Sequence, residues 1–217
     1  MEAESVRFAA DGVDVVHGLW LDGSDGVFVF AHGAGAGMDH PFMEGVAHRL
    51  AGYGVATLRY DFPYIRAGRP LPPAIGTLPP VARAAVTEAR ERAAGRPVWA
   101  GGKSMGGRVT SMAEADDPLG VEGLIFVGFP LHPRGRPGHD RADHLRETAC
   151  PLRFVSGTRD QLADVDLLGP VVRGLGARAE LHLVEGADHG FHVLVRSGRT
   201  DAEALDEVAT TIAGWIR

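Results

Sequence analysis

The sequence predicts an α/β fold in which helices cover both faces of a mostly parallel sheet of about eight strands. From Gly26 onward, apolar strand-like runs alternate with helix-like segments, and this alternation is typical of parallel sheets. The run Gly26–Ala31 is continuously apolar, as expected of a strand covered on both faces. The 217 residues contain no repeat and no linker-like segment, so a single domain over residues 1–217 is expected.

Turn and cap signals place the elements of the first half. Asp11-Gly12 lies between two apolar runs and predicts a hairpin. Pro41 and Gly52 bracket apolar residues at helical spacing, and Gly95 ends a second such segment. The predicted strands are Val6–Ala9, Val13–Leu21, Gly26–Ala31, Gly54–Arg59 and Pro97–Ala100, and the predicted helices are 41–52 and 79–94.

The second half continues the alternation. Thr200 and Glu203 form a capping box that opens the last helix. Pro170 interrupts the helical stretch 162–175, so a break is expected there. The predicted strands are Gly123–Val127, Leu152–Val155 and Glu180–Val184.

Two long irregular segments, 61–80 and 129–151, are expected to carry function because loops of this length are uncommon in compact domains. Lid domains often follow the sixth strand of such a fold. Only about two dozen residues separate Val127 from Leu152, too few for a large cap, and an open, shallow site is expected.

Composition and charge exclude several classes of function. Net charge is −6 and no long run of like charges occurs, so a nucleic-acid-binding surface is not expected. The longest apolar runs, such as Val27–Ala31, are far shorter than a membrane span. Met1–Ser5 is acidic and does not resemble a signal peptide, which predicts a cytoplasmic protein. The single cysteine, Cys150, excludes an intrachain disulfide, and the oligomeric state is left open.

A serine lies at the apex of a predicted strand–turn–helix. The segment Gly102-Lys103-Ser104-Met105-Gly106 matches the G-x-S-x-G pattern of a nucleophile elbow, in which the bend lifts the serine hydroxyl out of the sheet. Glycine is required on both sides because a side chain there would collide with neighbouring backbone. Ser104 is therefore the candidate nucleophile.

An acid and a base follow in the order Ser…Asp…His, which is the order of the α/β-hydrolases. Asp160 and His189 each come just after a strand-like run. A serine hydroxyl needs an adjacent base, and His189 is the candidate, with Asp160 orienting the imidazole. The alternatives nearby are Asp164, Asp166 and Asp188 for the acid, and His182 and His192 for the base.

Two backbone N–H groups are expected to hold the oxyanion of the reaction. One comes from Met105, directly after the nucleophile, and the other from the glycine-rich loop after the third strand. Ala34 is the candidate in that loop, with Gly35 as the alternative. No cofactor or metal is expected. A phosphate-binding P-loop would need glycine at Pro97, and the His139–His144 run lies in a polar loop.

Five segments together resemble a family of small α/β-hydrolase-like domains related to dienelactone hydrolases. They are HGAGAGMDHPFM at 32–43, GKSMGGR at 102–108, GFPLHP at 128–133, GTRD at 157–160 and DHGF at 188–191. The family also includes a domain in a subunit of the vertebrate non-specific-lethal chromatin complex. The resemblance implies the α/β-hydrolase fold without a large cap and places the triad on Ser104, Asp160 and His189. Dienelactone hydrolases proper use a cysteine nucleophile, so lactone chemistry is not carried over.

The two long loops carry candidate substrate-binding residues. Tyr64 and Arg66 lie in the first, and His132 and Arg134 in the second. The arginines either keep the loops solvated or hold an anionic group of the substrate. The sequence thus predicts a serine hydrolase of small soluble esters or thioesters, and the alternative is a non-catalytic interaction module on the same scaffold.

Overall fold

The computed structural model describes residues 2–72 and 74–216, and the ends of the predicted 1–217 domain lie outside them. Eight strands are present in the described residues: β1 (Glu4–Ala10), β2 (Val13–Leu21), β3 (Gly26–Ala31), β4 (Val55–Tyr60), β5 (Val98–Lys103), β6 (Leu124–Val127), β7 (Leu152–Gly157) and β8 (Ala179–Val184). They form one sheet in the order β1-β2-β4-β3-β5-β6-β7-β8. The pairs β1–β2 and β2–β4 are antiparallel and all other pairs are parallel, which confirms the predicted mostly parallel sheet.

Helices cover both faces of the sheet. They are α1 (Pro41–Gly52), α2 (Pro63–Arg66), α3 (Pro79–Ala93), α4 (Met105–Asp116), α5 (Val165–Gly174) and α6 (Asp201–Ile216). The buried residues of α1 and α6 pack into the core on one face, and those of α3, α4 and α5 pack into the core on the other. None of the described helices is long and apolar enough to cross a membrane.

Strand β3 explains how one sequence run serves both cores. All six of its residues are buried. Val27 and Val29 belong to the core under α3 and α4, whereas Phe28 and Phe30 belong to the core under α1 and α6. Successive side chains point to opposite faces of a strand, so a continuously apolar run is what two covered faces require.

The expected break at Pro170 is wrong. Helix α5 runs through this proline without interruption. Because proline has no N–H, Pro170 cannot donate the usual helical hydrogen bond to the carbonyl of Asp166. Both residues are exposed, so water can bind that carbonyl instead. Leu168 and Val172 are buried on the opposite side and hold the helix against the sheet.

The segment between β6 and β7 confirms the absence of a large cap. Its regular structure is a short 3₁₀ segment, Asp140–Arg146. The first long loop contains one turn of α-helix, α2, and one 3₁₀ turn, Ile75–Thr77. The carboxyl ends of the parallel strands are therefore covered by short segments only.

Candidate active site

Ser104 lies at a sharp bend between a strand and a helix. Strand β5 ends at Lys103 and helix α4 begins at Met105, so one residue makes the turn. Its backbone has φ 51° and ψ −117°, a combination that non-glycine residues rarely adopt. Strain of this kind persists where the surroundings fix the backbone, and it is the geometry of a nucleophile elbow.

The glycines on either side of Ser104 are required by close backbone contacts. A methyl group on Gly102 would lie 2.5 Å from the carbonyl oxygen of Ala31, and one on Gly106 would lie 2.4 Å from the same oxygen. Any side chain at either position would push strand β3 away from the elbow. The G-x-S-x-G spacing thus allows the backbone of the elbow to contact the backbone at the end of β3 beneath the serine.

Three side chains from distant segments form a hydrogen-bonded relay. Nε2 of His189 lies 2.9 Å from Oγ of Ser104. Nδ1 of His189 lies 2.9 and 2.8 Å from the two carboxylate oxygens of Asp160. Asp160 is 3% exposed, and its Oδ1 also accepts the N–H of Leu162 at 2.8 Å. The carboxylate is therefore fixed from two directions and fixes the ring in turn.

The other predicted candidates have partners elsewhere. His182 pairs with Glu207, and His192 pairs with Asp201, each across 2.7 Å. Two of the alternative carboxylates accept backbone N–H groups. Asp164 accepts one in the N-terminal cap of a helix, and Asp188 accepts two in a turn.

Two N–H groups beside Ser104 are available to an oxyanion. Within the described part of the chain, neither the N–H of Ala34 nor that of Met105 donates a hydrogen bond. Ala34 is exposed, and a methyl group on the preceding Gly33 would lie 3.5 Å from Cβ of Ser104, so this loop runs beside Ser104. Met105 is the first residue of α4, where the helix dipole favours negative charge.

Buried polar side chains hold the loop that contains Ala34. Arg59 donates to the carbonyl of Met38 at 2.9 Å, and the carboxylate of Asp61 accepts the Met38 N–H at 2.8 Å. Nε2 of His32 lies 3.1 Å from the N–H of Phe62 and accepts it. Burial lowers the pKa of His32, which keeps the ring neutral and able to accept. The loop is thus set before any ligand arrives.

Lys103 is partly buried, and its side chain contacts the segment that carries His189. Its Nζ donates to the backbone carbonyl of His189 at 2.7 Å and lies 5.7 and 5.5 Å from the ring centres of Phe42 and Phe191. Burial lowers the pKa of Lys103 to about 8, against the opposing influence of Asp160. The side chain ties strand β5 to the segment that carries His189.

A largely apolar cavity of about 670 Å³ opens beside Ser104 and His189. This size is within the usual range for small-molecule sites. The cavity is enclosed by helices α1 and α6 and the 189–192 turn, which take the place of a cap. Its main apolar walls are Phe42, Leu162, Phe191 and Leu205, which the sequence analysis did not select.

The four predicted substrate-binding residues do not line this cavity. Tyr64 is 4% exposed and turns into the core, because the loop folds into helix α2. Arg66 is paired with Asp61 at 2.7 Å. His132 is buried, with Nδ1 at 2.9 Å from the carbonyl of Pro133, and Arg134 is exposed. Their placement gives no support to a role in this cavity.

Comparison with known proteins agrees with this architecture. A family profile described as an alpha/beta hydrolase domain matches residues 24–217. The chain belongs to this family. The eight-stranded sheet, the elbow after the fifth strand and the absence of a large cap are accordingly those of an α/β-hydrolase fold.

Solved structures share the fold along almost the whole α/β-hydrolase chain. A dienelactone hydrolase from Anabaena variabilis is 23% identical, with a TM-score of 0.80 over 99% of this chain and 96% of its own. An alpha-beta serine hydrolase homologue from Coxiella burnetii is 18% identical, with a TM-score of 0.78 over 98% of both chains. A serine hydrolase without a lid from Xanthomonas campestris is 18% identical, with a TM-score of 0.72 over 98% and 95%. At these identities the similarity establishes the fold.

Proposed function

We propose that this α/β-hydrolase is a serine hydrolase that cleaves small carboxylic esters or thioesters through an acyl-enzyme. The observation that carries the proposal is the unbroken relay from Asp160 through His189 to Ser104, with hydrogen bonds of 2.8 to 2.9 Å. Proteins described as serine hydrolases and esterases are among the structures that share its fold, in agreement with this reaction class.

In the proposed reaction, Oγ of Ser104 forms a bond to the acyl carbon while Nε2 of His189 takes the hydroxyl proton. The carbonyl π electrons move to oxygen, and the N–H groups of Ala34 and Met105 stabilise the resulting oxyanion. The imidazolium then gives its proton to the departing alcohol or thiol as its bond to the acyl carbon breaks. Water repeats the sequence on the acyl-enzyme and releases the acid.

The cavity suggests the shape of the substrate. Its walls are mostly apolar, so an aliphatic or aromatic part of the ester is expected to fill it. Buried apolar surface contributes roughly 25 cal/mol per Å², so this part of the substrate supplies binding energy.

The test is labelling and turnover with a matched pair of serine variants. A fluorophosphonate probe should label the wild-type chain once, and p-nitrophenyl acetate should give a burst equal to the enzyme concentration. Ser104→Ala should abolish both, with a loss of about 10⁴-fold or more in kcat. Ser24→Ala is the control, because this serine lies in the turn before β3 and its hydroxyl, among the described residues, bonds only to its neighbour Asp25.

Absence of labelling in the wild-type chain, with folding intact by circular dichroism, would favour the non-catalytic interaction module instead. Labelling that persists in Ser104→Ala would assign the nucleophile to another residue. Comparing oxygen esters with the corresponding thioesters then separates the two substrate classes.

A further inference from the structure

Two arginines lie near each other beside the elbow without an acidic partner. Arg108 is in the second turn of α4, and Arg141 is in the 3₁₀ segment between β6 and β7. Helix α4 lies against this 3₁₀ segment, because Oγ of Ser111 in the helix is 2.8 Å from Nε2 of His144 in the segment. In agreement with this packing, Arg141 lowers the pKa of Arg108, an effect second to burial. Among residues 2–72 and 74–216, no carboxylate lies within 4.0 Å of either guanidinium. We call Arg108, Arg141 and His132 the arginine cluster.

Donor and acceptor atoms of this cluster are buried without a partner. Nε of Arg108 and Nε2 of His132 have no hydrogen-bond partner in the described part of the chain. Arg141 donates one hydrogen bond, from Nη1 to the backbone carbonyl of His132 at 3.2 Å. Nδ1 of His132 lies 2.9 Å from the carbonyl of Pro133. If Nδ1 donates to this carbonyl, the buried Nε2 is an acceptor for a protonated ligand group; in the imidazolium both nitrogens donate.

This arrangement is costly unless something compensates it. Arg108 and Arg141 are each partly buried. Partial burial of a charge without a partner is unfavourable, and a second like charge nearby makes it worse. The chain carries 28 acidic residues and a net charge of −6, yet none of the described carboxylates is used here. The neighbouring His144 stays neutral near pH 7, because burial and then Arg108 lower its pKa to about 4, so it adds no third positive charge. An anionic group of a ligand would supply the compensating charge.

The position of Arg108 ties the cluster to the reaction. Its N–H donates to the carbonyl of Ser104 at 3.3 Å, one helical turn away. Side chains on a helix lean toward its N-terminus, so the Arg108 side chain extends over the turn that begins at Met105. Helix α4 covers the opposite face of the sheet from α1 and α6, which wall the apolar cavity. His132 follows β6 in the segment that begins at Gly128, where a methyl group would lie 3.5 Å from Oδ2 of Asp160 and from Cε1 of His189, so this segment leaves the sheet beside the relay.

We propose that Arg108 and Arg141, with His132, form a subsite for an anionic group, a carboxylate or a phosphate, on the substrate of Ser104. The inference rests on the proposed function and deepens it: the substrate is an ester with an apolar part on one side of the scissile bond and an anionic part on the other. Planar guanidinium groups suit such oxyanions because they donate paired hydrogen bonds.

Matched esters test the subsite, with hydrolysis followed as acid release at constant pH. In the acyl series, monoethyl adipate is compared with ethyl heptanoate. In the alcohol series, acetoxybutanoate is compared with pentyl acetate. In one of the two series the wild-type enzyme should favour the anionic ester in kcat/KM by about 10- to 100-fold, the range of charge-assisted hydrogen bonds. The series that responds identifies the side of the ester that carries the anion.

Variants assign the preference to the cluster. Arg108→Gln and Arg141→Gln should each lower the ratio of kcat/KM for anionic over neutral ester by about tenfold or more, and Arg108→Lys should restore part of it. Arg146→Gln is the control, because this exposed arginine lies in the same 3₁₀ segment and loses the same charge. If Arg108→Gln does not fold, Arg141→Gln alone decides.

Three outcomes would overturn the inference: no anionic preference in either series, a preference kept in both arginine variants, or a preference lost in Arg66→Gln or Arg134→Gln instead. Failure of the proposed function has a separate signature. In that case the neutral esters are still hydrolysed by Ser104→Ala, or are not hydrolysed by the wild-type chain.

Discussion

The nucleophile elbow and the apolar wall of the cavity meet at Ser104 but are built in different ways. The elbow is one continuous segment, 101–107, fixed by backbone contacts that leave no room for a methyl group at Gly102 or Gly106. The wall comes from four separate places in the chain, and three of its four side chains are partly exposed: Phe42, Leu162 and Leu205.

The difference separates two properties of the site. Backbone geometry sets the position of the nucleophile, so a substitution in the elbow disturbs every substrate equally. Side-chain volume sets the shape of the cavity, so a substitution in the wall changes which substrates fit. Interiors packed to crystal-like density transmit strain, whereas partly exposed side chains can move aside.

Gly106→Ala is expected to have the largest effect. The added methyl group would lie 2.4 Å from the carbonyl oxygen of Ala31 and 2.6 Å from that of His32. Either β3 or the elbow must shift, which displaces Ser104 from the loop that carries Ala34. We expect kcat/KM for every ester to fall by about 100-fold or more, and the free energy of unfolding to fall by about 1–3 kcal/mol. Urea unfolding and p-nitrophenyl acetate hydrolysis measure the two effects.

Gly214→Ala is the matched control for this substitution. Gly214 is in helix α6, and a methyl group there meets nothing within 4 Å. Because alanine has a higher helix propensity than glycine, the substitution should raise the free energy of unfolding by up to about 1 kcal/mol and leave activity unchanged. Equal activities of Gly106→Ala and Gly214→Ala would contradict the view that the elbow depends on backbone contact.

Leu162→Trp is expected to have a smaller and selective effect. Leu162 lines the cavity and is partly exposed, so a larger side chain should reduce the space without unfolding the chain. The ratio of kcat/KM for hexanoate over acetate esters, or for hexyl over ethyl alcohol groups, should fall by about tenfold. Leu162→Ala should shift the same ratio in the opposite direction. Equal losses for short and long substrates would show that Leu162 acts through Asp160, whose carboxylate accepts its N–H.

The same contrast explains what could be predicted from the sequence. The elbow and the predicted sheet depend on local signals: glycines that permit close approach, apolar runs between turns, and a cap such as Thr200 with Glu203, whose two reciprocal hydrogen bonds are present. These signals act within a few residues, so they can be recognised from the sequence alone. Pro170 was misjudged because its effect depends on which side of the helix faces water.

The binding residues could not be found in this way because side-chain direction depends on tertiary packing. Tyr64 was expected in a loop at the site, but that loop folds into a helical turn and buries the ring. Phe42 and Phe191 stack at 5.6 Å although they are 149 positions apart in the sequence, and no periodic pattern links them. Phe191 follows His189 by two positions, which was the one available signal.

Lys103 is in the elbow, and its Nζ lies beside Phe42 and Phe191 of the cavity wall. Its titration is expected to have the smallest effect, a change in the free energy of unfolding with pH. Burial lowers its pKa from the ordinary 10.5 to about 8, so between these pH values the unfolded chain binds more protons than the folded one. The free energy of unfolding of the wild-type chain should therefore rise, relative to that of Lys103→Met, as the pH increases from about 8 toward 10.5. The change in this difference should be on the order of 1 kcal/mol between pH 7.5 and 9.5.

Direct observation of Lys103 is simple because it is the only lysine in the chain. Selective ¹³C labelling of lysine gives a single Cε signal, whose shift should titrate near pH 8 in the folded protein and near pH 10.5 in urea. A midpoint near 10.5 in the folded protein, or a stability difference that does not vary with pH, would mean that the amine is solvated. The elbow and the cavity wall would then not share a buried cation, and the hydrogen bond to the His189 carbonyl would contribute little to holding the base in place.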